Sequence, residues 1–137
     1  MTSPAPARRR DRGAASVELT VAFPLFFLLL MAGVQFALWQ HASHMAQAAA
    51  NEGVQIARAY GSSAAAGRSD TEALLRDLSG GALSGTSVSA SRSATTATIT
   101  ITGHAEAVIP GLTLPIKVTV TAPVERIPPI PGTTGLG

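Results

Sequence analysis

The chain contains no cysteine. Disulfides, thiol nucleophiles and cysteine-based zinc sites are therefore excluded, and cysteine usage says nothing about redox compartment. Aromatic residues are scarce: four Phe, one Trp and one Tyr, none of them beyond Tyr60. Whatever folds after Gly61 must build its core from aliphatic side chains alone. Charge is missing over a long stretch, with no Asp, Glu, Lys or Arg between Leu19 and Asn51. The usual constellations of catalysis are missing too. Beyond Gly61 there is one histidine, His104, with Asp70, Glu72, Asp77, Glu106 and Glu125 scattered around it. No nucleophile elbow, phosphate loop or metal-ligand cluster can be assembled from these by spacing. His41 and His44 are three residues apart, but no third ligand sits at matching distance. We therefore expect no enzyme, no cofactor and no metal site.

The charge that is present is unevenly placed. Arg8, Arg9, Arg10 and Arg12 belong to the first dozen residues. Removing them and Asp11 from ten basic and eight acidic side chains leaves six against seven. The basic pI is thus a property of the leader, and the scattered cations that follow make no phosphate-binding face. We expect no nucleic-acid partner.

Val17 to Leu38 reads VELTVAFPLFFLLLMAGVQFAL, broken only by Glu18 and Gln35 near its ends. As a helix at about 1.5 Å per residue it reaches about 33 Å, enough for a hydrocarbon core of about 30 Å. Six Leu, four Phe and two Val lie between Leu19 and Leu38. At about −0.3 to −0.6 kcal/mol each they outweigh the opposing terms from Pro24 and Gln35. A buried core helix of this composition would need more surrounding protein than this chain supplies. The arginine cluster precedes the span, so the positive-inside rule puts the N-terminus in the cytoplasm and everything after Trp39 outside. A cleavable signal peptide would have a shorter apolar run, and the segment after RRRDRG does not fit a twin-arginine signal.

Helical periodicity continues past Trp39. Gln40, His44, Gln47, Asn51, Gln55 and Arg58 fall within one stripe about 80° wide. Opposite them run Ala42, Ala46, Ala49, Gly53 and Ala57, a row of small residues, and Gly33 with Ala37 extends the small-residue theme into the span as part of an expected helix packing face. Such a row lets two backbones approach closely. It serves either a partner helix in an assembly or the small domain that follows.

Gly61-Ser62-Ser63 is a plausible helix stop, and residues 61–69 read as a linker. Asp70 can cap a short helix through Leu78, ended by Gly80-Gly81. The period then changes to two. Thr96–Thr102 and Leu114–Ala122 alternate aliphatic residues with threonine, a weaker strand spans Thr86–Arg92, and another runs through Ala105–Ile109 before a Pro110-Gly111 turn. The short helix Thr71–Leu78 is the natural cover for this sheet. The tail, 127–137 (IPPIPGTTGLG), cannot sustain a ladder and should be extended or disordered.

The junction RGAASVELTVAFP carries the sharpest signal. Gly13 ends the basic leader, and the fifth residue after it is Glu18, a carboxylate at the edge of a membrane span that calls for a partner. These residues resemble the cleavage region of type IV prepilins and pseudopilins. In that family a prepilin peptidase cuts after the glycine, here between Gly13 and Ala14, and the acidic fifth residue pairs with the new N-terminal amine of a neighbouring subunit. More narrowly, RGAASVELTVAFPLFFLLLMAGVQFALW with the Ala-rich helix ending AANEGVQIARA is similar to TadE-like proteins, pseudopilin-like components of the tight-adherence (Tad) pilus machinery. The resemblance covers residues 12–60. It implies membrane lipid, other pilin or pilus assembly subunits, and a prepilin peptidase as partners.

The expected fold is an α+β membrane protein: one long N-terminal helix, transmembrane then stalk, followed by a short helix and a small antiparallel sheet. The expected organisation is a basic cytoplasmic leader (1–13), a transmembrane helix (14–39), an extracytoplasmic stalk helix (40–60), a small α+β domain (61–126) and a Pro/Gly-rich tail (127–137). The function this implies is non-catalytic pilus assembly through the hydrophobic helix. The rival is an unprocessed, membrane-anchored module that binds a cell-envelope partner.

Overall fold

The computed structural model describes residues 10–128. In chain order it contains α1 (Arg10–Arg58), α2 (Ala64–Ser79), β1 (Leu83–Arg92), β2 (Thr96–Ala105) and β3 (Leu114–Pro123). The three strands are antiparallel in the order β1-β2-β3. The architecture is the expected α+β one, a long apolar N-terminal helix, a short helix and a small antiparallel sheet. Arg8, Arg9 and the tail from residue 129 lie outside the described residues.

α1 runs unbroken for 49 residues through Pro24. A proline here removes one backbone donor and crowds the carbonyl four residues earlier, that of Thr20. The Thr20 hydroxyl meanwhile donates back to the Ser16 carbonyl at 2.8 Å. The far end of α1 is closed by arginine. Arg92 reaches from β1 to donate to the carbonyls of Ala57 and Ala59. A cation is favoured there, because the last carbonyls of a helix lack partners and carry its negative pole. Arg58 pairs with Glu125 at 2.9 Å, and the backbone N–H of Glu125 donates to the Arg58 carbonyl.

α2 departs from the expected linker. It begins at Ala64, not at Asp70, and its cap is Ser63, whose hydroxyl accepts from the Ala66 N–H at 3.1 Å. Ala64-Ala65-Ala66 propagates a helix once that cap is in place. What resembled flexible composition at Gly67 is a crossing point. A Cβ on Gly67 would lie 2.6 Å from both the Ala57 Cβ and the Gly53 carbonyl oxygen, and one on Gly53 would overlap the Thr71 hydroxyl. Glycine on both sides lets α1 and α2 touch backbone to backbone, and Thr71, fully buried there, donates to the Gly67 carbonyl at 2.7 Å. Gly80 ends α2 in the left-handed region, as expected.

The sheet also differs in one element. The separate strand expected through 105–109 does not form: Ala105 is the last residue of β2, and Glu106–Thr113 forms a loop containing the Pro110-Gly111 turn. The backbone groups a ladder would have used are taken instead by a side chain of α1, described below. The opposite hairpin turn is closed by Ser93, whose hydroxyl accepts from the N–H groups of Thr95 and Thr96.

Alternation places Ala97, Ile99, Ile101, Ile116, Val118 and Ala122 on the covered face. The outer face carries Thr98 against Thr121 and Thr100 against Thr119, with hydroxyls 3.0 and 3.2 Å apart. α2 is not the main cover of the inner face. α1 lies over β2 and β3, while α2 leans on α1 and β1. Alanine explains this, because Ala42, Ala46, Ala49, Ala50 and Ala57 are all fully buried and leave no side-chain bulk between helix and sheet. Ile99 and Ile101, also fully buried, contribute about 1.5–3 kcal/mol each by leaving water.

Candidate functional site: a bare apolar helix and its junction with the domain

α1 has two halves with opposite surroundings. From Ser16 to Leu30 every residue is exposed, and large apolar side chains on all sides share that exposure: Leu19 at 72 %, Phe23 at 69 %, Phe26 at 65 %. The helix is long and apolar enough to cross a membrane, and only 6 % of its most apolar stretch is buried within the chain. A core helix of a soluble protein would be mostly covered by its own fold. This one must be covered by lipid or by other helices.

Gly13 and Glu18 both lie on this bare segment, and both are exposed. Helix α1 starts at Arg10, so Arg12, Gly13 and Ala14 are already helical and the junction after Gly13 is not a loop. Glycine within a helix costs about 1 kcal/mol relative to alanine, so Gly13 weakens the turn that holds the junction. Glu18 stands beside Val17, Val21, Ala22 and Leu25, an apolar strip.

The change comes at Gln35, which is only 2 % exposed. Its amide holds the β2–β3 loop: Nε2 donates to the Glu106 carbonyl at 3.0 Å, and Oε1 accepts from the N–H groups of Val108 at 2.8 Å and Ile109 at 3.4 Å. One turn further on, the indole N–H of Trp39 donates to the Pro115 carbonyl at 3.2 Å. Gln35 counts as a cost against insertion when only the helix is considered. Its role as a clamp escapes sequence reasoning because its partners are more than 70 residues away. The available signal was a lone amide in an apolar run, paired with an apolar loop short of backbone partners.

Of the small-residue row, Ala42, Ala46, Ala49, Gly53 and Ala57 are buried within the chain, against α2 and the sheet. Their packing partner is internal. Gly33 and Ala37 remain exposed, and a Cβ on Gly33 would meet nothing. The polar stripe from Gln40 to Gln55 faces outward, and His41, His44 and His104 are exposed. Among the described residues no three His, Asp or Glu side chains come together as a metal site would require.

Residues 13–55 match the family model of TadE-like proteins. This stretch of the long helix is similar to TadE-like proteins. The match begins at the glycine of the junction, runs through the bare segment and the Gln35 clamp, and ends near the α1–α2 crossing. It stops before α2 and the sheet. No curated protein and no solved structure gives a significant match. The match lies within the long helix and covers less than a third of the chain. The bare apolar half of that helix is consistent with a single-pass membrane protein.

Proposed function

We propose that this chain is a pseudopilin-like, non-catalytic component of a Tad pilus system, assembled through the exposed half of α1. The observation that carries this reading is the abrupt change along one helix. From Ser16 to Leu30 every residue of an apolar cylinder is exposed, whereas from Gln35 the same helix is the core of a folded domain. A rigid continuous helix with one bare half suits lateral packing against other pilin or assembly-protein helices, with the domain carried on the outer side. In this reading the arginine leader, Arg8 to Arg12, stays cytoplasmic and holds the topology.

Processing deepens the proposal. A prepilin peptidase removes the leader between Gly13 and Ala14, in the turn weakened by glycine. Glu18 then becomes the fifth residue and pairs with the new amine of a neighbouring subunit through a charge-assisted hydrogen bond, setting the register between helices. Mass spectrometry of protein extracted from membranes tests this. In cells with an active prepilin peptidase the chain should begin at Ala14, and in cells lacking it at the unprocessed N-terminus. An intact leader in both would sink the processed-pilin reading and favour the unprocessed binding module.

A further inference from the structure

We propose that the β2–β3 loop, Glu106–Thr113, is a second membrane contact, seated at the hydrocarbon–headgroup boundary of the outer leaflet beside the helix. The inference rests on reading the bare half of α1 as a membrane span. Three hydrogen bonds to the Gln35 side chain fix the loop at the depth of residue 35 on that helix. From Val17, a hydrocarbon core of about 30 Å traversed at about 1.5 Å per residue ends close to the same level. The loop therefore sits where the membrane stops.

Its composition fits that position. From Ala107 to Leu112 there is no charged side chain. Val108 is 44 % exposed and Leu112 36 % exposed, and both belong to the same loop as Pro110-Gly111. On the helix, Phe36, the residue after Gln35, is 61 % exposed, so apolar side chains stand open to the surroundings on both the span and the loop at this level. The alternatives for this surface are water or another protein. Water would leave apolar side chains solvated at a point where lipid is already adjacent, and burying apolar surface is favourable. The buried Gln35 amide has a physical reason here as well. Next to hydrocarbon, backbone groups of an irregular loop need protein partners, and Gln35 supplies them.

The loop also lies at the correct end of the domain. β3 and the residues just after it run alongside α1, from Pro115 level with Trp39 to Glu125 level with Arg58. The β1–β2 turn at Ser93–Thr95 therefore stands far from the bilayer, about 35 Å higher along the helix at about 1.5 Å per residue. A loop wedged at one side of the span would prevent the helix from sliding along its axis, and would set which face of α1 turns toward its own domain.

The absence of cysteine makes the test direct. Single-cysteine variants of the full chain, Val108→Cys, Leu112→Cys, Phe26→Cys and Ala94→Cys, are labelled with an environment-sensitive fluorophore. Each is then reconstituted in phosphatidylcholine vesicles with and without brominated acyl chains. Labels at 108 and 112 should emit at shorter wavelength than the label at 94 and lose intensity on brominated lipid, as the label at 26 does. In a Gln35→Leu background the quenching at 108 should fall while that at 26 holds. Water-like emission at 108 and 112 with quenching at 26 overturns the proposal and leaves the span intact. A short-wavelength emission at 108 and 112 that brominated lipid does not quench also overturns it, and assigns the loop to a second copy of the chain. Loss of quenching at 26 itself removes the membrane span on which the proposal depends.

Discussion

Replacing Gly67 with alanine sets two opposing effects against each other at the α1–α2 crossing. In an isolated helix the change should help by about 1 kcal/mol, because alanine propagates helix better than glycine. In this fold the added Cβ would sit 2.6 Å from the Ala57 Cβ, 2.6 Å from the Gly53 carbonyl oxygen and 3.1 Å from the Ala57 backbone nitrogen. Ordinary carbon contacts lie at about 3.5–4.0 Å, so the helices must part by the better part of an ångström. None of the three atoms belongs to a flexible side chain that can swing away. Overpacking of this kind costs about 1–3 kcal/mol, and rigid neighbours put it at the upper end. Parting the helices also disturbs fully buried Thr71 and Ala57. The net expectation is a loss of about 2 kcal/mol. Trp39, the single tryptophan, reports on the fold because its indole is bonded to β3. In a urea titration of the detergent-solubilised chain, followed by its emission, the midpoint should fall by about 1 M for a slope of about 2 kcal/mol/M. Gly33→Ala serves as the control: a Cβ there meets nothing, so its midpoint should hold or rise. A Gly67→Ala midpoint equal to or above the parent's would refute the close crossing.

Two further outcomes follow from the same structure. A fragment beginning at residue 61 keeps α2 and the sheet but loses Ala42, Ala46, Ala49, Val54 and Ala57, the wall of the core. It should show no cooperative thermal transition by circular dichroism, and a sharp melt would contradict the covering role assigned to α1. Glu18→Gln keeps the shape of an exposed side chain on the bare helix and removes its charge. Membrane insertion should be unchanged while pilus yield or recovery of partner subunits drops, and wild-type assembly in that variant would argue for a simple anchor.

The sequence by itself determined whatever depends on neighbours within a few residues. The apolar run from Val17 is legible because every turn of a helix repeats it. The strands β2 and β3 are legible because alternation is local to each, and the glycine stops at Gly61 and Gly80 because a left-handed turn needs no distant partner. The junction of Gly13 with Glu18 is a local pattern too, and its resemblance to TadE-like proteins was open to reading on residues alone. Tertiary structure decided the rest. Gly67 resembles linker composition because its cost to the helix is local, whereas its benefit comes from Gly53 and Ala57 on another element. The alanine row served equally well for an outside helix or an inside sheet until the fold chose the inside. Residues 105–109 alternate well enough for a strand, yet Gln35 takes their backbone groups first. The long apolar helix therefore remains what its sequence announced over its first half. Over its second half it is a core element, because only the folded chain brings a sheet to its alanine face.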